Sequence, residues 1–267
     1  MYIGRLAPSP TGLLHLGHAT TFRVAQERAR NAEGSLLLRI EDLDRSRCKP
    51  EFEDSLVDDL KWAGLRWDGD PVRQTERMPI YLAAWRRLAA FGRIYPCGCS
   101  RKDVELALSA PHSDDDGEPI YPGTCRPTAF LPRSEPEPGG INWRFAVNDG
   151  EVVEFLDGRA GTQRFVSGRD FGDFLIWRKD GYPAYQLAVV VDDAEMGISE
   201  VIRGEDLLAS TAQQLLIYRA LGLPAPAFYH CPLVTDSQGR RLAKRAGAHS
   251  LKSMRLAGMT QIPSWSS

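Results

Sequence analysis

The feature that most constrains the fold is a strand, turn, helix and second strand packed into the first forty residues. Tyr2 to Ala7 reads as a short strand. Pro8-Ser9-Pro10-Thr11-Gly12 ends it, because two prolines and a glycine favour a turn over a continued ladder. From about His18 to Arg30 the apolar Phe22, Ala25 and Ala29 fall on one helical face. Ser35 to Ile40 contains Leu36-Leu37-Leu38, a run that suits a strand buried on both faces. Strand, helix and strand at this spacing imply a parallel unit with a right-handed crossover. The predicted fold class is α/β, with a nucleotide-binding, Rossmann-like parallel sheet as its core.

Further along, Pro50 can open a helix with Leu56, Leu60 and Ala63 facing inward and Gly64 as its stop. A second helix is expected from Thr75 to Gly92. Residues 96–140 change character, holding three of the five cysteines, many prolines and the acidic tract Asp114-Asp115-Asp116-Gly117. They read as an insertion. Ile141 to Trp177 alternates as strands do, for instance in Trp143-Phe145-Val147. Tyr185 to Asp193 and Ile198 to Arg203 have the composition of buried strands. A helix from about Ser210 to Leu221 precedes Gly222, and Asp236-Ser237-Gln238-Gly239 reads as a hairpin turn. The expected division is residues 1–95 as the first half of the core, 96–140 as a metal-bearing insertion, and 141–267 as the second half.

A chain of 267 residues can bury one large core with a small appendage. Its net charge of −2 provides no overall positive field for nucleic acid, yet leaves room for a local basic face. Arg86, Arg87 and Arg101 are basic candidates that on their own suit solvated helix faces. The N-terminus lacks a basic and apolar leader pattern, and no run approaches the ~20 apolar residues needed to span a bilayer. An odd number of cysteines argues against a secreted disulfide framework, so a cytoplasmic protein with reduced thiols is expected.

Two segments carry chemistry. His15-Leu16-Gly17-His18 sits where the first strand hands over to a helix. Exposed helix N–H groups and the helix dipole favour a phosphate there, and imidazoles can donate to developing negative charge. Gly17 lets a flat base or a phosphate approach the backbone. Cys97-Gly98-Cys99 and Cys125 supply three thiols, one short of a tetrahedral zinc set. On ligand chemistry alone His112 is the fourth candidate. Cys48 and Cys231 are isolated and read as core residues.

The segment from Pro8 to His18 resembles the HIGH signature of class I aminoacyl-tRNA synthetases. With Arg5-Leu6-Ala7 ahead of it, it is similar to the glutamyl branch. Arg39-Ile40-Glu41-Asp42-Leu43-Asp44, the stretch Tyr185 to Asp193, and Val201-Ile202-Arg203-Gly204-Glu205-Asp206-Leu207-Leu208 resemble that branch in the same order. Together they cover residue 5 to about 245. The resemblance implies a class I core split by a small zinc-bearing insertion, which activates L-glutamate with ATP and Mg²⁺. It implies glutamate contacts from Arg5, Leu6, Ala7, Pro8, Ser9, Glu41, Tyr185 and Arg203. Arg5 would grip the side-chain carboxylate and Glu41 the ammonium. It implies ATP contacts from His15, Gly17, His18 and Lys244, with His15, His18 and Lys244 catalytic. Lys244 lies in Arg240-Arg241-Leu242-Ala243-Lys244-Arg245, similar to the family's KMSKS loop but with Arg241 and Ala243 departing from it.

For the cysteine segment the resemblance implies Zn²⁺ on Cys97, Cys99, Tyr121 and Cys125. The chain ends at Ser267, soon after the second ATP loop, without the anticodon-binding region of full glutamyl-tRNA synthetases. That and the C-x-C…Y-x-x-x-C pattern resemble a core-only branch. They imply transfer of glutamate to queuosine in the anticodon of tRNA(Asp), by a monomer. The alternatives are a truncated enzyme charging tRNA(Glu), a cytidylyltransferase-like nucleotidyltransferase, or a catalytically silent tRNA-binding paralogue.

Overall fold

In the computed structural model, β1 (Ile3–Leu6) leads through the proline-rich turn into α1 (Leu16–Asn31), and β2 (Ser35–Ile40) returns beside β1. The structure describes residues 1–100, 102–104, 120–129, 131–133, 137–234 and 250–259. β1 and β2 pair in parallel, with Ile3 opposite Ser35 and Leu6 opposite Leu38. The helix between them buries Leu16, Ala19, Phe22, Ala25 and Ala29, three and four residues apart, on the sheet face. Its exit needs Gly34, because a Cβ there would strike the Tyr2 carbonyl.

α2 (Pro50–Trp62) starts on its proline, buries Leu56 and Leu60, and stops at Gly64, whose φ of +76° suits glycine. Short β3 (Val72–Arg73) pairs in parallel with the end of β2. The helix expected from Thr75 begins instead as a 3-10 turn, Gln74–Arg77, and becomes α3 (Met78–Ala90). Pro79 fits only that first turn, since it has no N–H to give a preceding carbonyl.

β4 (Ile94–Cys97), β5 (Asn142–Phe145), β6 (Val152–Asp157), β7 (Gly161–Val166) and β8 (Phe174–Trp177) follow. β4, β5 and β8 form an antiparallel sheet, while β6 and β7 make a hairpin. Trp85 of α3 meets the Trp143 ring edge-on at 4.9 Å in the main core, which reaches from Leu43 to Phe228.

The strand reading of Tyr185 to Asp193 is overturned. These residues form α4 (Tyr185–Glu195). Every residue from Leu187 to Asp193 is buried, so the run is enclosed on all sides and has no polar face to reveal a helical period. β9 (Glu200–Gly204), a 3-10 turn (Glu205–Leu207), α5 (Leu208–Leu221), β10 (Ala227–Cys231) and α6 (Leu251–Leu256) complete the described chain. α5 ends at Gly222 with φ +62°, and Arg87 donates to the Leu221 carbonyl at that end. β10 lies between β9 and β6, parallel to both.

Two hydrogen bonds of 2.9 Å between Ile3 and Ser199 tie β1 to the chain entering β9, so the two parallel systems meet at these strands. α1 leaves one and α5 the other, which opens a crevice beyond their carboxyl ends. Among the described residues no helix is long and apolar enough to cross a membrane.

Candidate active site

A cleft of about 900 Å³ occupies that crevice, walled by the residues that follow β1, β2, β9 and β10. His15 and His18 line it at the start of α1, with ring centroids 3.8 Å apart. The backbone N–H of His15 donates to His18 Nδ1 at 3.3 Å, which leaves His18 Nε2 to carry a proton. A Cβ on Gly17 would sit 3.1 Å from the His15 ring, so a small residue here leaves that ring its place. Leu251, at the start of α6, reaches the same turn, its N–H donating to Leu14 O at 2.8 Å.

Across the cleft lies a buried ladder of charge. Arg5 Nε contacts Asp193 Oδ1 at 3.2 Å, Arg39 Nη1 contacts the same oxygen at 2.6 Å, and Arg39 Nη2 contacts Glu41 Oε1 at 3.0 Å. Their side chains are no more than 9% exposed. Burial alone would raise the Asp193 pKa, but Arg39 and Arg5 outweigh it and hold the carboxyl low. At Glu41 burial wins over Arg39 and Arg5, and the carboxyl is pushed up. Burial opposes the charge on Arg39 as well, yet Asp193, Glu41 and Asp192 raise its pKa well above that of free arginine. Arg5 also donates Nη1 to Ile202 O at 3.1 Å. Arg5 and Glu41 therefore face the cleft as a cation beside an ionisable carboxyl.

Tyr185 and Arg203 face the cleft from the second half of the chain. Arg203 Nη1 donates to the Tyr185 hydroxyl at 3.4 Å. Tyr185 keeps 40% of its surface open. Desolvation within the cleft raises its phenol pKa, opposed by Arg203.

Ala7, Pro8 and Ser9 line the cleft, but Leu6 does not. Its side chain is 0% exposed in the second core cluster, because alternation along β1 turns it away from Arg5 and Ala7. Lys244, Arg241, Ala243, the turn at Asp236 to Gly239, and His112 lie outside the described residues.

The three thiols come together at the end of β4. The sulfurs of Cys97, Cys99 and Cys125 all lie within 4.8 Å of one another, with Cys99 and Cys125 at 3.6 Å. The Tyr121 hydroxyl is 3.4 Å from Cys97 Sγ and 3.7 Å from Cys99 Sγ. Zinc–sulfur bonds of about 2.3 Å in a tetrahedron place neighbouring ligands roughly 3.8 Å apart. The three thiols fit that spacing, and the Tyr121 hydroxyl lies beside two of them. Burial opposes ionisation of Cys125, but hydrogen bonds from Tyr121, Gly98 and the other thiols bring it down to about 7.

Sequence reading assigned no role to Arg39, Asp192 or Asp193. The signal was present: an arginine inside a leucine-rich strand and two aspartates inside a valine-rich run must find partners when buried. Asp192 accepts from Gln74, Arg77 and Tyr81 at 2.7, 2.7 and 2.8 Å and so fixes α4 against α3. The buried pair Asp157 and His230 was also missed.

A family model described as the catalytic domain of class I tRNA synthetases (E and Q) matches residues 3–264. The glutamyl-Q tRNA(Asp) synthetase of Symbiobacterium thermophilum is 48% identical, over 97% of this chain and 82% of its own. That of Rhodobacter capsulatus is 41% identical, over 96% of this chain and 95% of its own. A solved glutamate tRNA ligase from Elizabethkingia meningosepticum, in complex with its amino acid, matches 92% of this chain with a TM-score of 0.77 and 28% identity. The chain spans about half of that ligase, 52% of its length. Fold, cleft and sequence agree: the chain belongs to the family of class I glutamyl- and glutaminyl-type tRNA synthetase catalytic domains.

Proposed function

We propose that this protein joins L-glutamate to ATP's α-phosphate and passes the glutamyl group to queuosine in the anticodon of tRNA(Asp). The observation that carries the reading is the pairing of two guanidiniums, Arg5 and Arg203, with one ionisable carboxyl, Glu41, opposite the two-histidine turn. Two cations and one anion complement the two carboxylates and one ammonium of glutamate. Arg5 would hold the side-chain carboxylate, Glu41 the ammonium, and Arg203 with Tyr185 the remaining oxygens. Ala7, Pro8 and Ser9 would line that subsite.

The α-carboxylate then attacks the α-phosphorus of ATP and pyrophosphate leaves. His15 and His18 donate hydrogen bonds to the phosphate oxygens, Gly17 admits the nucleotide, and Lys244 would follow the leaving charge. Mg²⁺ on the phosphates supplies charge neutralisation when bound. In the second step a hydroxyl of the queuosine cyclopentenediol attacks the mixed anhydride, releasing AMP. Choice of this acceptor rests on the relatives that carry the glutamyl-Q tRNA(Asp) name. Cys97, Cys99, Tyr121 and Cys125 would hold one structural Zn²⁺, which makes residues 96–140 a metal-bearing insertion between two halves of the core. A cytoplasmic monomer completes the reading.

Glutamate-dependent exchange of pyrophosphate into ATP without tRNA tests the first step, and transfer of labelled glutamate tests the second. The expected result is exchange without tRNA and labelling of tRNA(Asp) only when it carries queuosine. Labelling of the 3′ end of tRNA(Glu) would overturn the acceptor. Absence of exchange would overturn activation.

A further inference from the structure

Behind Arg203 lies a buried pair that the activation chemistry does not use. His230, on β10, and Asp157, at the end of β6, are both 0% exposed, with Nδ1 and Oδ2 2.6 Å apart. The strands are parallel neighbours, and the turn after Asp157 is locked to β10 by Gly158 N–H donating to Phe228 O at 2.8 Å. Asp157 also accepts backbone N–H groups from Arg159, Ala160 and His230 at 3.0, 2.8 and 3.1 Å. Burial works against its ionisation, but these donors prevail and keep the carboxyl below its ordinary value.

An ionised Asp157 fixes the imidazole proton on Nδ1 and leaves Nε2 as an acceptor. Nε2 faces Arg203 Nε at 3.2 Å and Thr211 Oγ1 at 3.0 Å. Arg203 Nη2 is held by Thr211 and Gln214 at 2.7 and 2.8 Å. Nη1 donates to Tyr185, which also lines the cleft. Burial, followed by the charge of Arg203, pushes the His230 pKa down against the pull of Asp157. The ring stays neutral, as an acceptor for a guanidinium must.

We infer that Asp157 and His230 form a positioning unit for Arg203, fixing the guanidinium in the one orientation that presents Nη1 to a carboxylate of an acidic amino acid. Without an acceptor at Nε the side chain regains rotamers that aim its fork elsewhere. The inference rests on the reading that Arg203 meets the substrate carboxylate.

Pyrophosphate exchange kinetics on full-length variants test it. His230→Phe keeps an aromatic ring at this position but removes both ring nitrogens, the acceptor included. It should raise KM for glutamate on the order of tenfold, with kcat and KM for ATP within about twofold of the parent. His230→Gln places an amide oxygen near Nε2 and should restore most of the loss. Equal increases in both KM values, or identical behaviour of Phe and Gln, would overturn the inference in favour of a structural role. Arg203→Gln separates the two claims. If it leaves KM for glutamate unchanged, the carboxylate reading fails. If it raises that KM while His230→Phe does not, positioning alone fails. Should His230→Phe be recovered unfolded, Thr211→Val removes the hydroxyl shared by Nη2 and Nε2. A selective rise in glutamate KM then supports the unit, and no rise overturns it.

Discussion

Glu41 is enclosed by Arg39 on one side and opens to the cleft on the other. Because burial raises its pKa, it takes up a proton at higher pH than an ordinary glutamate side chain. Only the ionised form can pair with an ammonium. Glutamate affinity, measured by calorimetry across pH, should therefore weaken on acidification with a midpoint above the usual value near 4.3. Glu41→Gln should weaken binding at neutral pH on the order of tenfold to a hundredfold and remove the acid limb. A parent pH profile flat down to pH 4 would sink the assignment. The same raised pKa means that ionised Glu41 lowers native stability above its unfolded pKa, and that this cost fades as the pH drops. Asp193, held low, behaves oppositely: it adds stability above its unfolded pKa that is lost as pH falls through the folded value.

At the level of elements, what could be read from the sequence was set by how local each signal is. The turn at Pro8, α1 with its buried stripe, β2, α2 with its proline start and α5 with Gly222 each depend on neighbours a few residues away. They were recovered nearly as they stand. α4 was not, since a helix with no exposed face has lost its period. The cysteine element lies between: its three thiols were legible as a set, while ligand chemistry alone offered His112 as the fourth donor and the family resemblance offered Tyr121. In the structure the Tyr121 hydroxyl lies 3.4 and 3.7 Å from the sulfurs of Cys97 and Cys99. Native mass spectrometry of gently purified protein should show one zinc per chain. Cys125→Ser should lose it, and a strong chelator should lower the melting temperature by several degrees. Protein that retains no metal would remove zinc from this site. A parent melting curve unmoved by chelation would show that the ion does not hold the element together.

For the whole molecule, the central fact is that the site draws on both halves of the chain. Arg5 and Glu41 come from the first half, Tyr185 and Arg203 from the second, and Asp193 joins them by touching Arg5 and Arg39 at once. The two Asp193 pairings are not visible in sequence, because nothing local distinguishes a buried arginine's partner among many distant aspartates. Asp193→Asn should cost about 3–5 kcal/mol of stability, since it leaves two buried guanidiniums short of a carboxylate. Urea denaturation monitored by tryptophan fluorescence measures this, and a loss below about 1 kcal/mol would mean that Asp192 and Glu41 suffice.

The Arg39–Asp193 contact spans 154 positions along the chain. During synthesis at ~5–20 residues per second, Arg39 leaves the ribosome roughly 8–30 s before its partner exists. Until then Arg39 has only Glu41, two residues away, of the three carboxylates that surround it in the fold. Full neutralisation of that buried guanidinium, and with it the finished amino-acid site, requires the second half of the chain.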